Sequence, residues 1–172
     1  KIDDAYATNI PGIRAVGDVT GKFMLAHVAS KQGILCAEAI AGKPIEEINY
    51  VMVPRATFCQ PQVASFGYTE AQARELGKPI TVGKFPFMAN GKALGLVDYA
   101  GFGKIIIDDE SQQLLGAHLV GPEVSELLPE LTLAQANGLP IDAIAGNIHA
   151  HPTLSEVLME AAESAKGKAI HI

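Results

Sequence analysis

The sequence predicts an α+β fold, in which an antiparallel sheet carries helices packed on one face. Residues 62–121 contain short apolar and β-branched runs separated by turn residues, and residues 123–167 contain three runs with apolar residues at helical spacing. The strands therefore come first and the helices afterwards. This order favours a layered α+β arrangement over a parallel sheet, in which strands and helices would alternate.

The first 47 residues are interpreted as a separate strand-and-helix segment. "GIRAVGDV", residues 12–19, is a short apolar run ending in Gly-Asp, which predicts a buried strand with Asp18 at its end. Small and apolar residues then recur at helical spacing from Leu25 to Ala41, and "GKP" stops that helix. We place the domain boundary after residue 47, which gives two domains, 1–47 and 48–172.

The second domain contains the elements of the predicted sheet. "QVASFG", residues 62–67, predicts a strand, and "TEAQARELG" predicts a short helix with Thr69 as N-cap, Gln72 as capping-box partner and Gly77 as its stop. Turn sequences separate four further strand-like runs, which predict an antiparallel meander: residues 80–87, 93–99, 101–108 and 113–121. Three helices are predicted to follow: residues 123–138, 141–147 and 153–167.

Charge and composition restrict the class of partner. The net charge is −6 and basic residues are scattered singly, which argues against nucleic acid and anionic membrane surfaces. No apolar stretch reaches about 18 residues and no secretory leader is visible, so we expect no membrane span and a cytoplasmic location. Cys36 and Cys59 form no CxxC motif. Two buried, reduced thiols are the expectation, and a disulfide between them is the alternative.

The stretch "HAHPTLSE", residues 149–156, is the main candidate for chemistry. His151 precedes Pro152, which favours extended backbone, and it lies just before Thr153, the predicted N-cap of the last helix. A helix N-terminus disfavours an imidazolium and a carboxylate favours one, so a pair with Glu156 would suit proton transfer near neutral pH. The structural alternative is a capping box, in which Glu156 only bonds to the backbone of Thr153.

Other motifs give weaker indications. His149 and His151 lie two residues apart and could bind a metal together, but no third ligand accompanies them and we assign no metal. His27, His118 and His171 belong to no evident cluster and are interpreted as surface or core residues. "GFGKII" lacks the third glycine of a dinucleotide-binding loop and leads into a β-branched run, so it is not interpreted as a phosphate site.

"RAVGDVTGKFMLAHVASKQG", followed at this distance by "HAHPTLSE", resembles the C-terminal third of the flavin-dependent pyridine nucleotide-disulfide oxidoreductases, and in particular those that oxidise dihydrolipoamide. The resemblance covers essentially the whole chain. It implies a dimerisation domain preceded by a strand-and-helix remnant of the FAD-binding domain. It also implies that Asp18 binds the ribityl chain of FAD, and that the next helix presents backbone amides to the flavin at its start, namely at Met24, Leu25, Ala26 and His27.

The same resemblance implies roles for the final motif. His151 would be the base that activates a substrate dithiol, and Glu156 would orient it. The implied activity is oxidation of protein-bound dihydrolipoamide by a homodimer, with FAD and NAD as cofactors and the lipoyl domains of 2-oxo acid dehydrogenase complexes as partners. The redox CxxxxC, the FAD-binding GxGxxG and the NAD domain are expected upstream, so the chain alone is expected to be inactive. The alternatives are a non-catalytic dimerisation module and a related disulfide reductase such as glutathione reductase.

Overall fold

The computed structural model describes residues 1–172 and contains one sheet of five antiparallel strands: β1 (Arg55–Thr57), β2 (Gln62–Gly67), β3 (Ile80–Pro86), β4 (Phe102–Asp108) and β5 (Leu114–Gly121). Their order across the sheet is β1-β2-β5-β4-β3. The predicted meander is therefore limited to β3, β4 and β5, and β2 pairs with β5. The predicted α+β class is confirmed.

The chain forms six helices: α1 (Ala26–Ile40), α2 (Glu70–Glu75), α3 (Gly91–Leu96), α4 (Val124–Ala136), α5 (Ile141–Ala145) and α6 (Glu156–Ala165). Helix α2 begins as predicted, with Thr69 as N-cap and Gln72 closing the capping box. Gly77 follows this helix with a φ of 72°, a conformation that glycine adopts without strain. None of the six helices is long and apolar enough to cross a membrane.

The segment 93–99, predicted as a strand, instead forms most of α3 and the turn that follows it. Asn90 caps this helix, since its side-chain oxygen accepts a hydrogen bond from the Ala93 N–H at 2.9 Å. An asparagine before glycine is typical of both hairpin turns and helix N-caps, and here the cap is formed. The strand prediction is wrong because this local hydrogen bond starts a helix.

The chain divides into two units, Lys1–Val53 and Pro54–Ile172, whereas the boundary predicted from the sequence follows residue 47. In the first unit, residues 12–19 do not form the predicted strand and take part in a single isolated β-bridge. A strand requires a continuous ladder of paired residues, which this segment lacks. Asp18 accordingly does not end a strand but begins a short 3₁₀ turn.

Both cysteine thiols are free, as predicted, and the disulfide alternative is wrong. Cys36 is buried in the small core of the first unit, together with Tyr6 and Leu35. The prediction that Cys59 is buried is wrong, because it lies in the connection between β1 and β2 and is exposed there, with its Sγ 3.1 Å from the carbonyl oxygen of Pro61. The two thiols therefore differ strongly in their access to solvent.

Helix α6 packs directly on β3 and β4, and two glycines allow the close approach. A Cβ atom added at Gly83 would overlap the carbonyl oxygen of Ala161, and one added at Gly103 would lie 2.8 Å from Cγ1 of Val157. Any larger residue at either position would force the helix or its side chains to move. The adjacent strand position Phe85 is fully buried in the same layer.

Polar contacts join the other face of the sheet to the start of α2. Lys104 follows Gly103 along β4, so its side chain points away from α6. Its Nζ donates to Oε2 of Glu70 at 2.6 Å. His118 lies opposite Lys104 in the strand register, and its Nε2 is 3.0 Å from the carbonyl oxygen of Tyr68. These contacts connect β4 and β5 to the segment that follows β2.

We expect Gly83→Ala to lower the free energy of unfolding by about 1–3 kcal/mol, the usual range for overpacking a tight core. The added methyl group meets the backbone of α6, which has no free rotamer with which to avoid it. Denaturant unfolding followed by circular dichroism measures the change. Gly95→Ala in α3 is the matched control, because a Cβ there has nothing within 4 Å. An equal loss in both variants would contradict the packing argument.

The Lys104–Glu70 contact is expected to be lost in acid. Hydrogen bonds from Lys104 and Arg74 lower the pKa of Glu70 from its usual 4.5 to about 2. Because the folded pKa is the lower one, this stabilisation is complete above pH 4.5 and disappears as the pH falls towards 2. Glu70→Gln should therefore unfold at lower denaturant concentration than the unsubstituted chain at neutral pH. A difference that persists undiminished at pH 2 would contradict this explanation.

Candidate functional site

The "HAHPTLSE" segment lies between α5 and α6, and α6 begins later than predicted. Its first residue is Glu156, with Ser155 at the N-cap, so the prediction of Thr153 as N-cap is wrong. The hydroxyl of Thr153 donates to the carbonyl oxygen of Ala150 at 2.7 Å and also contacts the Ser155 hydroxyl, so it does not accept from the backbone of α6. The His151–Pro152 peptide bond is cis.

His151 and Glu156 are in direct contact. Nδ1 of His151 lies 2.9 Å from Oε1 of Glu156, and Oε2 of the same carboxylate accepts the Thr153 N–H, also at 2.9 Å. The imidazole is 75% exposed, whereas the Glu156 side chain is only 15% exposed. The histidine pair and the backbone contact were alternative predictions from the sequence. The two oxygens of one carboxylate make both contacts at once.

The surroundings of Glu156 favour its ionised form. Burial alone would raise the pKa of Glu156, but the hydrogen bonds from Thr153 and His151 outweigh that effect and hold the pKa below its usual value. A carboxylate that accepts from Nδ1–H fixes the tautomer in which Nε2 carries the lone pair. The exposed imidazole can therefore take a proton at Nε2 from a group that arrives from solvent.

A pocket of about 170 Å³ opens beside this pair. Its lining includes the apolar residues Phe85, Ala89 and Leu94. It also includes four titratable side chains: His151, Glu156, Glu160 and His171. The pocket therefore combines a surface for an aliphatic group with a cluster of acids and bases.

Asn90 connects this site to α3. Its Nδ2 donates to the carbonyl oxygen of Thr153 at 3.0 Å, while its Oδ1 caps α3. The residue is only 4% exposed. Sequence reasoning missed it because "ANGK" was interpreted as a turn between strands. The N-cap preference of asparagine is the signal that could have identified it.

Sequence reasoning also missed a second histidine–glutamate pair in the pocket. Nδ1 of His171 lies 2.5 Å from Oε1 of Glu160, and Oε2 of Glu160 accepts the N–H of Ile170 at 3.0 Å. His171 is exposed, as one of the two predicted locations had it, but the interpretation that it belongs to no cluster is wrong. Glu160 follows Glu156 by four residues on α6, and this spacing, which places two side chains on one helix face, was the available signal.

A third pair involves His149, outside the pocket. Its Nε2 lies 2.9 Å from Oε1 of Glu130 on α4, and its Nδ1 lies 3.0 Å from the carbonyl oxygen of Asn147. The imidazole is almost fully buried. His149 and His151 thus contact different glutamates. No group of three or more histidine, cysteine, aspartate and glutamate side chains is arranged to hold a metal ion.

The residues that the resemblance assigns to FAD lie in the first unit. Asp18, Met24, Ala26 and His27 are exposed, and Leu25 is half-buried. Helix α1 begins at Ala26, and no side chain caps its N-terminus. An exposed carboxylate can accept hydrogen bonds from hydroxyl groups, and a helix N-terminus attracts electron-rich groups. This donor and acceptor set is chemically compatible with a flavin and its ribityl chain.

Comparison with known proteins identifies relatives along most of the chain. A family profile described as "Pyridine nucleotide-disulphide oxidoreductase, dimerisation domain" matches residues 53–162. The chain is 54% identical to a dihydrolipoyl dehydrogenase of Corynebacterium glutamicum over 99% of its length, and 56% identical to one of Mycobacterium leprae over 92%. It covers only 37% and 34% of those two proteins, so it spans about a third of their length.

Solved structures share the fold. The HOCl-induced flavoprotein disulfide reductase RclA of Escherichia coli matches with a TM-score of 0.86 and 30% identity, over 92% of this chain and 37% of that one. LpdA of Mycobacterium tuberculosis matches with a TM-score of 0.87 and 27% identity, over 94% of this chain and 35% of that one. The chain therefore belongs to the pyridine nucleotide-disulphide oxidoreductase family, and residues 53–162 are its dimerisation domain.

Proposed function

We propose that this chain is the C-terminal part of a dihydrolipoyl dehydrogenase, in which it supplies an acid–base pair and the dimer interface. The substrate would be the dithiol of protein-bound dihydrolipoamide, and the final electron acceptor would be NAD. The observation that carries the proposal is the contact between His151 and Glu156, in which a largely buried carboxylate, 15% exposed, holds Nδ1 of an exposed imidazole at 2.9 Å. Relatives named dihydrolipoyl dehydrogenase at 45–56% identity support the choice of reaction.

The proposed role of His151 follows from the chemistry of thiols. An ordinary thiol has a pKa near 8.5 and is mostly protonated at neutral pH, whereas the nucleophile in disulfide exchange is the thiolate. Nε2 of His151 would take the thiol proton, and Glu156 would stabilise the imidazolium through Nδ1–H. The second oxygen of Glu156 bonds to the Thr153 N–H, which keeps the carboxylate in place during the transfer.

The disulfide that the thiolate attacks would come from another part of the longer protein, since Cys36 and Cys59 are a buried and an exposed free thiol. When bound, FAD accepts electrons from that disulfide centre and passes them to NAD. We propose that residues 1–47 belong to the FAD-binding domain. There, Asp18 would accept hydrogen bonds from the ribityl chain, and the backbone amides of Met24–His27 would face the flavin.

We further propose a homodimer, with lipoyl domains as partners of the whole enzyme. Ile148 is 94% exposed and Leu133 is 66% exposed, and both are large aliphatic residues. The contact between His149 and Glu130 attaches the loop that carries Ile148 to α4, the helix that carries Leu133. Exposed apolar residues of this size are typical of protein interfaces, and this domain is a dimerisation domain by family.

We expect His151→Gln in the full-length protein to reduce dihydrolipoamide oxidation by about 10²- to 10⁴-fold, the usual contribution of a general base. Glutamine retains bulk and hydrogen bonding but cannot take the proton. Steady-state turnover with dihydrolipoamide and NAD is the measurement, with flavin absorbance and the thermal midpoint as controls for folding. Retention of more than about a tenth of the activity would contradict the catalytic role.

Glu156→Gln tests the same pair from its other side and should cause a smaller loss than His151→Gln, because the base itself remains. If Glu156 only accepts the Thr153 N–H, the substitution should leave turnover nearly unchanged, because the side-chain oxygen of glutamine can accept the same hydrogen bond. Normal turnover in both variants would favour the non-catalytic dimerisation module. Reduction of glutathione disulfide with a reduced nicotinamide nucleotide as the electron donor would favour a glutathione reductase-like enzyme.

The proposed interface predicts that Ile148→Asp weakens self-association. A carboxylate buried at an apolar contact without a partner is unfavourable, so the dimer dissociation constant should rise at least about tenfold. Sedimentation velocity of the full-length protein over a range of concentrations measures this. Leu76→Asp, at the end of α2, is the control and should leave association unchanged. A concentration-independent monomer before substitution would contradict the homodimer.

A further inference from the structure

Thr153 lies at the centre of the hydrogen bonds that hold the His151–Glu156 pair. Its N–H donates to Oε2 of Glu156 at 2.9 Å, and its hydroxyl donates to the carbonyl oxygen of Ala150 at 2.7 Å. His151 lies between Ala150 and Thr153 in the chain, so these two hydrogen bonds hold both members of the pair. The position of Thr153 therefore influences where the imidazole and the carboxylate meet.

The third polar group of Thr153, its carbonyl oxygen, is held from a distant part of the chain. It accepts a hydrogen bond from Nδ2 of Asn90 at 3.0 Å, across a separation of 63 residues. Asn90 is 4% exposed, and its own Oδ1 accepts the Ala93 N–H at 2.9 Å. A buried amide that is bonded through both of its polar atoms has little freedom to turn. Asn90 therefore holds the Thr153 carbonyl from a fixed direction.

The imidazole of His151 lies beside the first residue of α3. A Cβ atom added at Gly91 would be 3.7 Å from Cε1 of His151, which is an ordinary van der Waals distance. Asn90 immediately precedes Gly91, so the residue that holds Thr153 also begins the helix beside which the ring lies. Helix α3 thus approaches the pair at the ring and, through Asn90, at the segment that carries the ring.

We propose that Asn90 is a positioning residue for proton transfer by His151, and that it acts by holding the carbonyl oxygen of Thr153. This inference rests on the proposed function of His151 and adds the residue that keeps the pair aligned. Without the hydrogen bond from Asn90, the peptide groups of Thr153 can turn. The Thr153 N–H would then leave Oε2 of Glu156, and the carboxylate would no longer hold Nδ1 of His151 in the productive direction.

Asn90→Asp in the full-length protein tests the proposal, because it keeps the oxygen that caps α3 and removes the group that donates to Thr153. Turnover with dihydrolipoamide and NAD should fall about 10- to 100-fold, as expected when a reacting group is displaced but not removed. The bound flavin should still pass electrons from NADH to a dye at the normal rate, because that reaction involves no dithiol. Flavin absorbance and the thermal midpoint serve as controls for folding.

Asn90→Ser is the second variant, and it adds no charge near the pair. Serine also caps helices, but its single oxygen lies one bond closer to the backbone, so it cannot cap α3 and reach Thr153 together. Lys92→Gly is the matched control, since Lys92 is exposed in the same helix and glycine weakens α3 by its low helix propensity. The control should keep normal turnover. An equal loss in Lys92→Gly and Asn90→Ser would overturn the proposal, because turnover would then follow the stability of α3.

Amide hydrogen exchange followed by mass spectrometry measures the hydrogen bonds independently of activity. Residues 150–157 contain the Thr153 N–H that donates to Glu156. In Asn90→Asp and Asn90→Ser this segment should exchange about 3- to 10-fold faster, as expected for the loss of one hydrogen bond. Strand β4 should exchange at its original rate in both variants. Unchanged exchange at residues 150–157 would overturn the proposal.

The outcomes distinguish this inference from the function on which it rests. If His151→Gln keeps its turnover, the proposed function fails, while the exchange of residues 150–157 still shows whether Asn90 holds that segment. If His151→Gln is impaired but both Asn90 variants lose less than about tenfold, the positioning role is overturned and the proposed function stands. A parallel loss of dye reduction and turnover would also overturn the positioning role, because it would indicate general damage to the enzyme.

Discussion

Helix α6 can approach the sheet to backbone distance only because β3 and β4 present glycines there. Gly83 and Gly103 leave no space for a side chain between strand and helix, so the rotation and depth of α6 are fixed by backbone contact. The buried side of the helix is mostly apolar, yet it also carries Glu160. Glu156 begins the helix one turn earlier. The position of both carboxylates is therefore a consequence of how closely α6 packs.

Three histidine–glutamate contacts occur in the second unit, and the exposure of their partners separates them. His149 is almost fully buried and its glutamate is partly exposed, which is typical of a histidine that fixes a loop. In the two pairs of the pocket the carboxylate is instead the less exposed partner, with Glu156 15% and Glu160 2% exposed, and the imidazole of His151 or His171 faces solvent. Only this second arrangement holds a fixed charge while leaving a proton carrier accessible.

Local signals predicted much of the fold, and long-range contacts account for the errors. The capping box of α2 and the limits of β2 depend on neighbouring residues and could be predicted. The pairing of β2 with β5 could not, since periodicity does not identify a partner strand. The contact of His151 with Glu156 follows from a separation of five residues, whereas Glu160 meets His171 only after the chain has turned beyond the end of α6.

The two cysteines differ in solvent exposure, so their alkylation rates can be used to measure opening of the first unit. Cys36 belongs to the core of the first unit, so an alkylating reagent can reach it only when that unit opens. Cys59 belongs to the second unit and is exposed in the folded state, so its modification supplies an internal reference for reagent activity. The ratio of the two labelling rates, measured in one sample, would give the opening equilibrium of residues 1–53 separately from the stability of the sheet.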